Sequence, residues 1–152
     1  MLKVKNVNTV DAHCKTNCLN IFKLIPCFYL PILIFIVNKF VISPFGVYAR
    51  WGWFDIPMHI IGGCAIAYSF ILVLRKVDDV VITNRFFEII IIIGLLSTVA
   101  IFWEFYEYLM HIIINVDQNT LRDTLSDFLF GLLGGMLITL NIKVKRCVTT
   151  NK

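Results

Sequence analysis

Four long apolar runs alternate with short polar breaks along the chain, and this pattern predicts four helices: the first over about 24–42, the second over about 56–74, the third over about 86–114 and the fourth over about 121–142. Each is long enough to cross the hydrocarbon core of a bilayer, which takes roughly 20 apolar residues. Their ends carry helix-stopping or polar residues: Pro44 after the first, Asp55 and Pro57 opening the second, Arg75 and Lys76 closing it, Asn115 to Asn119 between the third and fourth, and Lys143 closing the fourth. The breaks are too short for a further domain, and no repeat or low-complexity linker interrupts the runs. The expected fold is all-α, a polytopic membrane bundle of four transmembrane helices forming a single membrane domain over residues 1–152, with tails at 1–23 and 143–152.

Composition agrees. Of the 152 residues, 59% are hydrophobic and only 16% charged, and the mean hydropathy is +0.81. A soluble domain carries about a quarter charged residues, so that class is excluded. Lys3, Lys5, Lys15 and Lys23 are spread through a mostly polar start with no small-residue cleavage site after the first apolar run. The first helix is therefore expected to stay in the mature protein and not to leave as a signal peptide.

Basic residues collect on the side of a membrane that is not translocated. With alternating spans, eleven lie together: the four lysines of the N-terminal tail, then Arg75, Lys76 and Arg85, then Lys143, Lys145, Arg146 and Lys152. Only Lys39, Arg50 and Arg122 lie on the opposite side. Both termini are accordingly expected in the cytoplasm. The same residues explain the net charge of +4 and call for no nucleic-acid partner; the K-V-K-R tail reads as a topology signal and then as a contact for anionic lipid. Of the five cysteines, Cys27 and Cys64 fall inside helices, where a thiol packs as a small apolar group. His13 and Cys14 with Cys18 make at most half a metal site.

The third run is the informative one. Fifteen residues without a charge, Ile89 to Trp103, lead into W-E-F-Y-E-Y-L-M-H, in which Glu104, Glu107 and His111 share one helical side. Asp55 and His59 stand four apart at the start of the second helix, as do Asp123 and Asp127 at the start of the fourth. The alternating topology brings all seven to the outer ends of their helices, in a layer within about 15 Å of the outer boundary. An acid in hydrocarbon costs at least ~2.5 kcal/mol, so these groups are expected to face the bundle interior. Five carboxylates gathered there repel one another unless a cation joins them. A divalent metal supplies both the charge and a geometry that carboxylates and imidazoles suit, and helical bundles hold di-iron and di-manganese centres with similarly spaced groups. The candidate ligands are Asp55, His59, Glu104, His111, Asp123 and Asp127, with Glu107 as a catalytic base. This donor set favours zinc, manganese or iron over calcium.

Simpler roles stand beside these. Asp55, two residues before Pro57, could cap the second helix. Asp123 could complement the dipole of the fourth, and His111 could sit in interfacial water. Gly62 and Gly63, with Gly131, Gly134 and Gly135, predict close approach of the second and fourth helices just below the polar layer. Phe45, Tyr48, Trp51, Trp53 and Phe54 read as an interfacial aromatic belt or, alternatively, a lid.

The ordered motifs D-x-x-x-H-x-x-G-G from Asp55, W-E-x-x-E from Trp103 and D-T-x-x-D-x-x-x-G-x-x-G-G from Asp123 resemble those of the YjdF-like bacterial inner-membrane proteins and, more loosely, the VanZ-like proteins. The resemblance covers about Trp53 to Ile142. It implies a bacterial inner-membrane location and a polar membrane site at Asp55, His59, Glu104, Glu107, Asp123 and Asp127, without naming a reaction. Signatures of zinc proteases and of serine hydrolases are absent. Three functions stay open: a metal-dependent membrane hydrolase acting on an amphipathic or lipid substrate, a non-enzymatic envelope or partner-binding protein, and an ion or proton transporter. Oligomeric state is not readable from the chain.

Overall fold

The computed structural model describes residues 21–77, 84–114 and 120–142, apart from the side chains of 21, 111 and 114. Every regular element among them is helical: α1 (Tyr29–Val37), α2 (Val47–Arg50), α3 (Asp55–Lys76), α4 (Arg85–Ile114) and α5 (Leu121–Asn141). A 3-10 turn, Ile25–Phe28, leads into α1 and a π-helical turn, Asn38–Ile42, follows it, so that the first span runs Ile25–Ile42. The other three spans are Gly52–Lys76, Arg85–Met110 and Leu121–Asn141. All four are long and apolar enough to cross a membrane. His13, Cys14 and Cys18 lie outside the described residues, as do both chain tails.

Local chemistry sets the boundaries. Pro31 and Pro57 each fall in the first turn of a helix, where the missing N–H has no intrahelical partner to lose. Gly46, at φ 66°, takes the left-handed turn that ends the first span. Arg75 and Lys76 close α3, where cations complement the carbonyl end of a helix. Thr120 caps α5, its hydroxyl oxygen accepting from the Asp123 amide at 3.3 Å.

Among the described residues the most extensive contact joins α3 to α5, and small residues explain it. A Cβ added at Gly63 would strike the backbone of Gly131, and one at Gly134 would strike the backbone of Ile60. Ala67 lies opposite Gly135, its Cβ 3.5 Å from where a Cβ on that glycine would stand. The pairs Gly63 with Gly131 and Ala67 with Gly135 advance by one turn on both helices, so α3 and α5 run parallel. Small-x-x-x-small spacing on both partners is what lets helix backbones meet without a hydrophobic force from water. Gly62, by contrast, has open space beside it. Below the glycines, Ala67, Ile71 and Ile92 form a buried apolar cluster with Leu74, Ile138 and Ile142 against it. α4 runs antiparallel to both, and Leu96 from it fills the space beside Gly135.

The first span packs lightly, through Cys27, which is buried, and through edge-on ring contacts of Phe28 with Phe70 and of Phe35 with Trp103 and Tyr106. Most large apolar side chains of all four spans point outward, the arrangement expected where lipid is the solvent. The starts of α3 and α5 and the late turns of α4 therefore share one end of the bundle.

Candidate functional site

The face of α3 that carries Gly63 and Ala67 carries His59 one turn earlier, and the face of α5 that carries Gly131 and Gly135 carries Asp127 one turn earlier. The glycine contact thus brings an imidazole and a carboxylate together across the interface. His59 Nε2 lies 3.4 Å from Asp127 Oδ1, and also 3.4 Å from Asp55 Oδ1 of its own helix. Asp127 is 3% exposed. Its second oxygen, Oδ2, is buried and has no hydrogen-bond partner among the described residues.

From α4, Glu104 and Glu107 approach the same carboxylate. One ligand atom from each of Asp55, His59 and Asp127 can be chosen so that all lie within 4.8 Å of one another, and the same holds for Glu104, Glu107 and Asp127. Trp103, one turn before Glu107, donates its indole N–H to Glu107 Oε1 at 2.8 Å. These groups line a cavity of about 910 Å³ reached by side chains from all four spans. Lys39 is the only lysine or arginine among the described residues that line it.

The candidates read from sequence are distributed as follows. Asp55, His59, Glu104, Glu107 and Asp127 converge. Asp123 lines the cavity too, but it is exposed and belongs to neither converging set; it sits in the first turn of α5, where an acid complements the helix dipole. The side chain of His111 lies outside the described residues. The capping role open to Asp55 is not found: Phe54 occupies the cap position without a side-chain bond, and Asp55 is the first helical residue, turned to His59.

The aromatic segment divides. Phe45, Trp51 and Trp53 are exposed, as a belt requires, whereas Tyr48 lines the cavity. Its hydroxyl donates to Asn38 Oδ1 at 2.5 Å. Burial, followed by the nearby Asp55 carboxylate, pushes the Tyr48 hydroxyl up to about 12. Sequence reasoning misses Asn38 as part of the site and reaches Tyr48 only through the alternative of a lid. A lone amide inside the first apolar run is the signal that could have found Asn38. The π-helical turn beginning there is a local rearrangement of a kind that recurs at functional sites.

A second polar group stands at the opposite end of the bundle. Arg85 at the start of α4 pairs with Glu88, which is buried, and donates to the Thr139 carbonyl of α5. The hydroxyls in between are occupied within their own helices: Ser69 bonds Ala65 O at 2.8 Å, Ser97 bonds Ile93 O at 2.8 Å, Thr98 bonds Gly94 O at 2.9 Å and Thr139 bonds Gly135 O at 2.7 Å.

Comparison with known proteins places the chain. A family model described as "Predicted membrane protein (DUF2238)" matches residues 15–146, and the chain belongs to that family of membrane proteins. No curated protein and no solved structure matches it.

Proposed function

We propose that this DUF2238 member holds a divalent cation between α3 and α5, on Asp55, His59 and Asp127, and uses it to hydrolyse an amphipathic substrate drawn from the membrane. The observation that carries this reading is Asp127 Oδ2, a buried carboxylate oxygen with no hydrogen-bond partner among the described residues, in a cavity walled by acids. His59 faces the other oxygen of Asp127 at 3.4 Å, but a buried acceptor left unsatisfied is costly, and an ion at Oδ2 removes that deficit. The likeness to YjdF-like proteins supports the same residues. Zinc, manganese and iron suit the mixed oxygen and nitrogen donors.

An ion held there would supply a water that is nucleophilic near neutral pH. Glu107, held by the Trp103 indole, would take the proton from water attacking an ester or related bond and return it to the leaving group. The first span closes one wall of the cavity with few packed contacts, so the substrate's apolar part enters beside it from lipid. In the orientation read from the basic residues, both termini are cytoplasmic and the site opens near the outer face of a bacterial inner membrane.

The cavity's size speaks against a purely structural layer, because polar glue between helices packs without room for a ligand. Toward the other end, Ser69, Ser97, Thr98 and Thr139 are the main polar side chains among the described residues before the Arg85–Glu88 pair, too few stepping stones to favour an ion path through the bundle. The test is metal analysis of protein purified in detergent and supplied with zinc, manganese or iron, together with turnover of a chromogenic fatty-acyl ester in mixed micelles. Metal and turnover should be lost together in His59→Ala and Asp127→Asn. A folded wild type that takes up no metal overturns the reading, and metal binding without turnover of esters, amides or phosphoesters overturns its enzymatic half.

A further inference from the structure

Asp127 belongs to both groups of converging ligand atoms. The first group is mixed, with Asp55 and His59 from α3; the second is all carboxylate, with Glu104 and Glu107 from α4. We propose that the cavity takes a second divalent cation on Glu104, Glu107 and Asp127, so that the Asp127 carboxylate bridges two ions. This rests on the single-ion reading above, with Glu107 serving as the base when one ion is bound and as a ligand when two are.

Charge decides between one ion and two. The four carboxylates of Asp55, Glu104, Glu107 and Asp127 carry four negative charges when ionised, and His59 is neutral as a ligand. One divalent ion leaves half of that charge uncompensated in a setting where anions are expensive. Two ions balance it. The only lysine or arginine lining the cavity, Lys39, is itself exposed and makes no ion pair with these acids among the described residues.

Geometry agrees. Two oxygens on one ion at about 2.2 Å stand at most about 4.4 Å apart, and each group already lies within 4.8 Å. A few tenths of an ångström closes either set. Asp127 has the two oxygens a bridge requires: Oδ1 faces His59, and Oδ2 has no hydrogen-bond partner in its buried position among the described residues. The indole of Trp103 fixes Glu107 through Oε1, the type of outer contact that orients metal ligands.

The experiment is a titration of the purified, detergent-solubilised chain with Mn2+ alone, counting bound ions by equilibrium dialysis and recording the electron paramagnetic resonance spectrum. Two ions per chain with a spin-coupled signal are expected. Glu104→Gln and Glu107→Gln, checked for helix content by circular dichroism, should each bind one ion and lose the coupling. One ion in the wild type and in both variants alike overturns the second site and leaves the single-ion reading standing. No ion in any of them overturns both. Should the variants fail to fold, the wild-type count and the coupling decide alone.

Discussion

The two ends of the bundle each bury an acid between α4 and α5, and they treat it in opposite ways. At one end Glu88 meets the guanidinium of Arg85, which also reaches the Thr139 carbonyl. Charge and hydrogen bonds close there within the protein. At the other end Asp127 meets an imidazole and three more carboxylates, and one of its oxygens has no hydrogen-bond partner among the described residues. The first arrangement is a latch. The second leaves that oxygen open on a cavity of about 910 Å³, where the proposed cation would sit. The glycine seam of α3 and α5 lies between them and makes the second possible, because it holds His59 against Asp127 regardless of what the acids prefer.

The seam gives the largest effect. Gly134→Leu drives a side chain into the backbone of Ile60, and since neither backbone can yield, it should cost about 3 kcal/mol or more; unfolding in mixed SDS and dodecyl maltoside micelles reads this directly. Next comes the response to metal. At a free ion concentration 100 times the dissociation constant, wild type should gain about 2.7 kcal/mol of stability, and Asp127→Asn should gain none while differing by less than about 1 kcal/mol in chelator. The latch should behave oppositely. Glu88→Gln strands Arg85, and because that arginine is partly exposed the loss should be about 2 kcal/mol, below the range for fully buried pairs, with no dependence on divalent ions. If Glu88→Gln abolishes the metal response, the two ends are not independent and the comparison fails.

The smallest effect is a local reporter. Tyr48 titrates near 12 in the folded chain against about 10 in an unfolded one, so the folded state holds an extra proton in that interval. Its contribution is constant below pH 10 and falls away as pH climbs towards 12. A divalent ion bound at Asp55 offsets the carboxylate's charge, so the phenol's ultraviolet titration should move back towards 10. Asp55→Asn should move it the same way without metal.

Much of this is legible in the chain. The four spans follow from the length of apolar run a bilayer demands, and their starts fall within one residue of the expected positions at Asp55, Arg85 and Leu121. The meeting of His59 with Asp127 is also readable, because each stands one turn before its helix's small residues and only small residues let two backbones touch. The first span is less readable. Nothing in N-K-F-V-I announces a π-helical turn, and a tyrosine in an aromatic loop looks like an interfacial anchor until tertiary packing points it inward. Asp55 and Asp123 show the limit of local rules. Both open a helix, yet one turns to a histidine on its own face and the other remains exposed at the helix dipole, a choice made by the neighbouring helices.

X-ray absorption at the zinc edge, on protein loaded with one equivalent of zinc, tests the central claim most directly. The account predicts a first shell of one imidazole nitrogen with carboxylate oxygens at about 2.0 to 2.2 Å, with the imidazole scattering lost in His59→Ala. A shell of water oxygens alone, unchanged by that substitution, would contradict it.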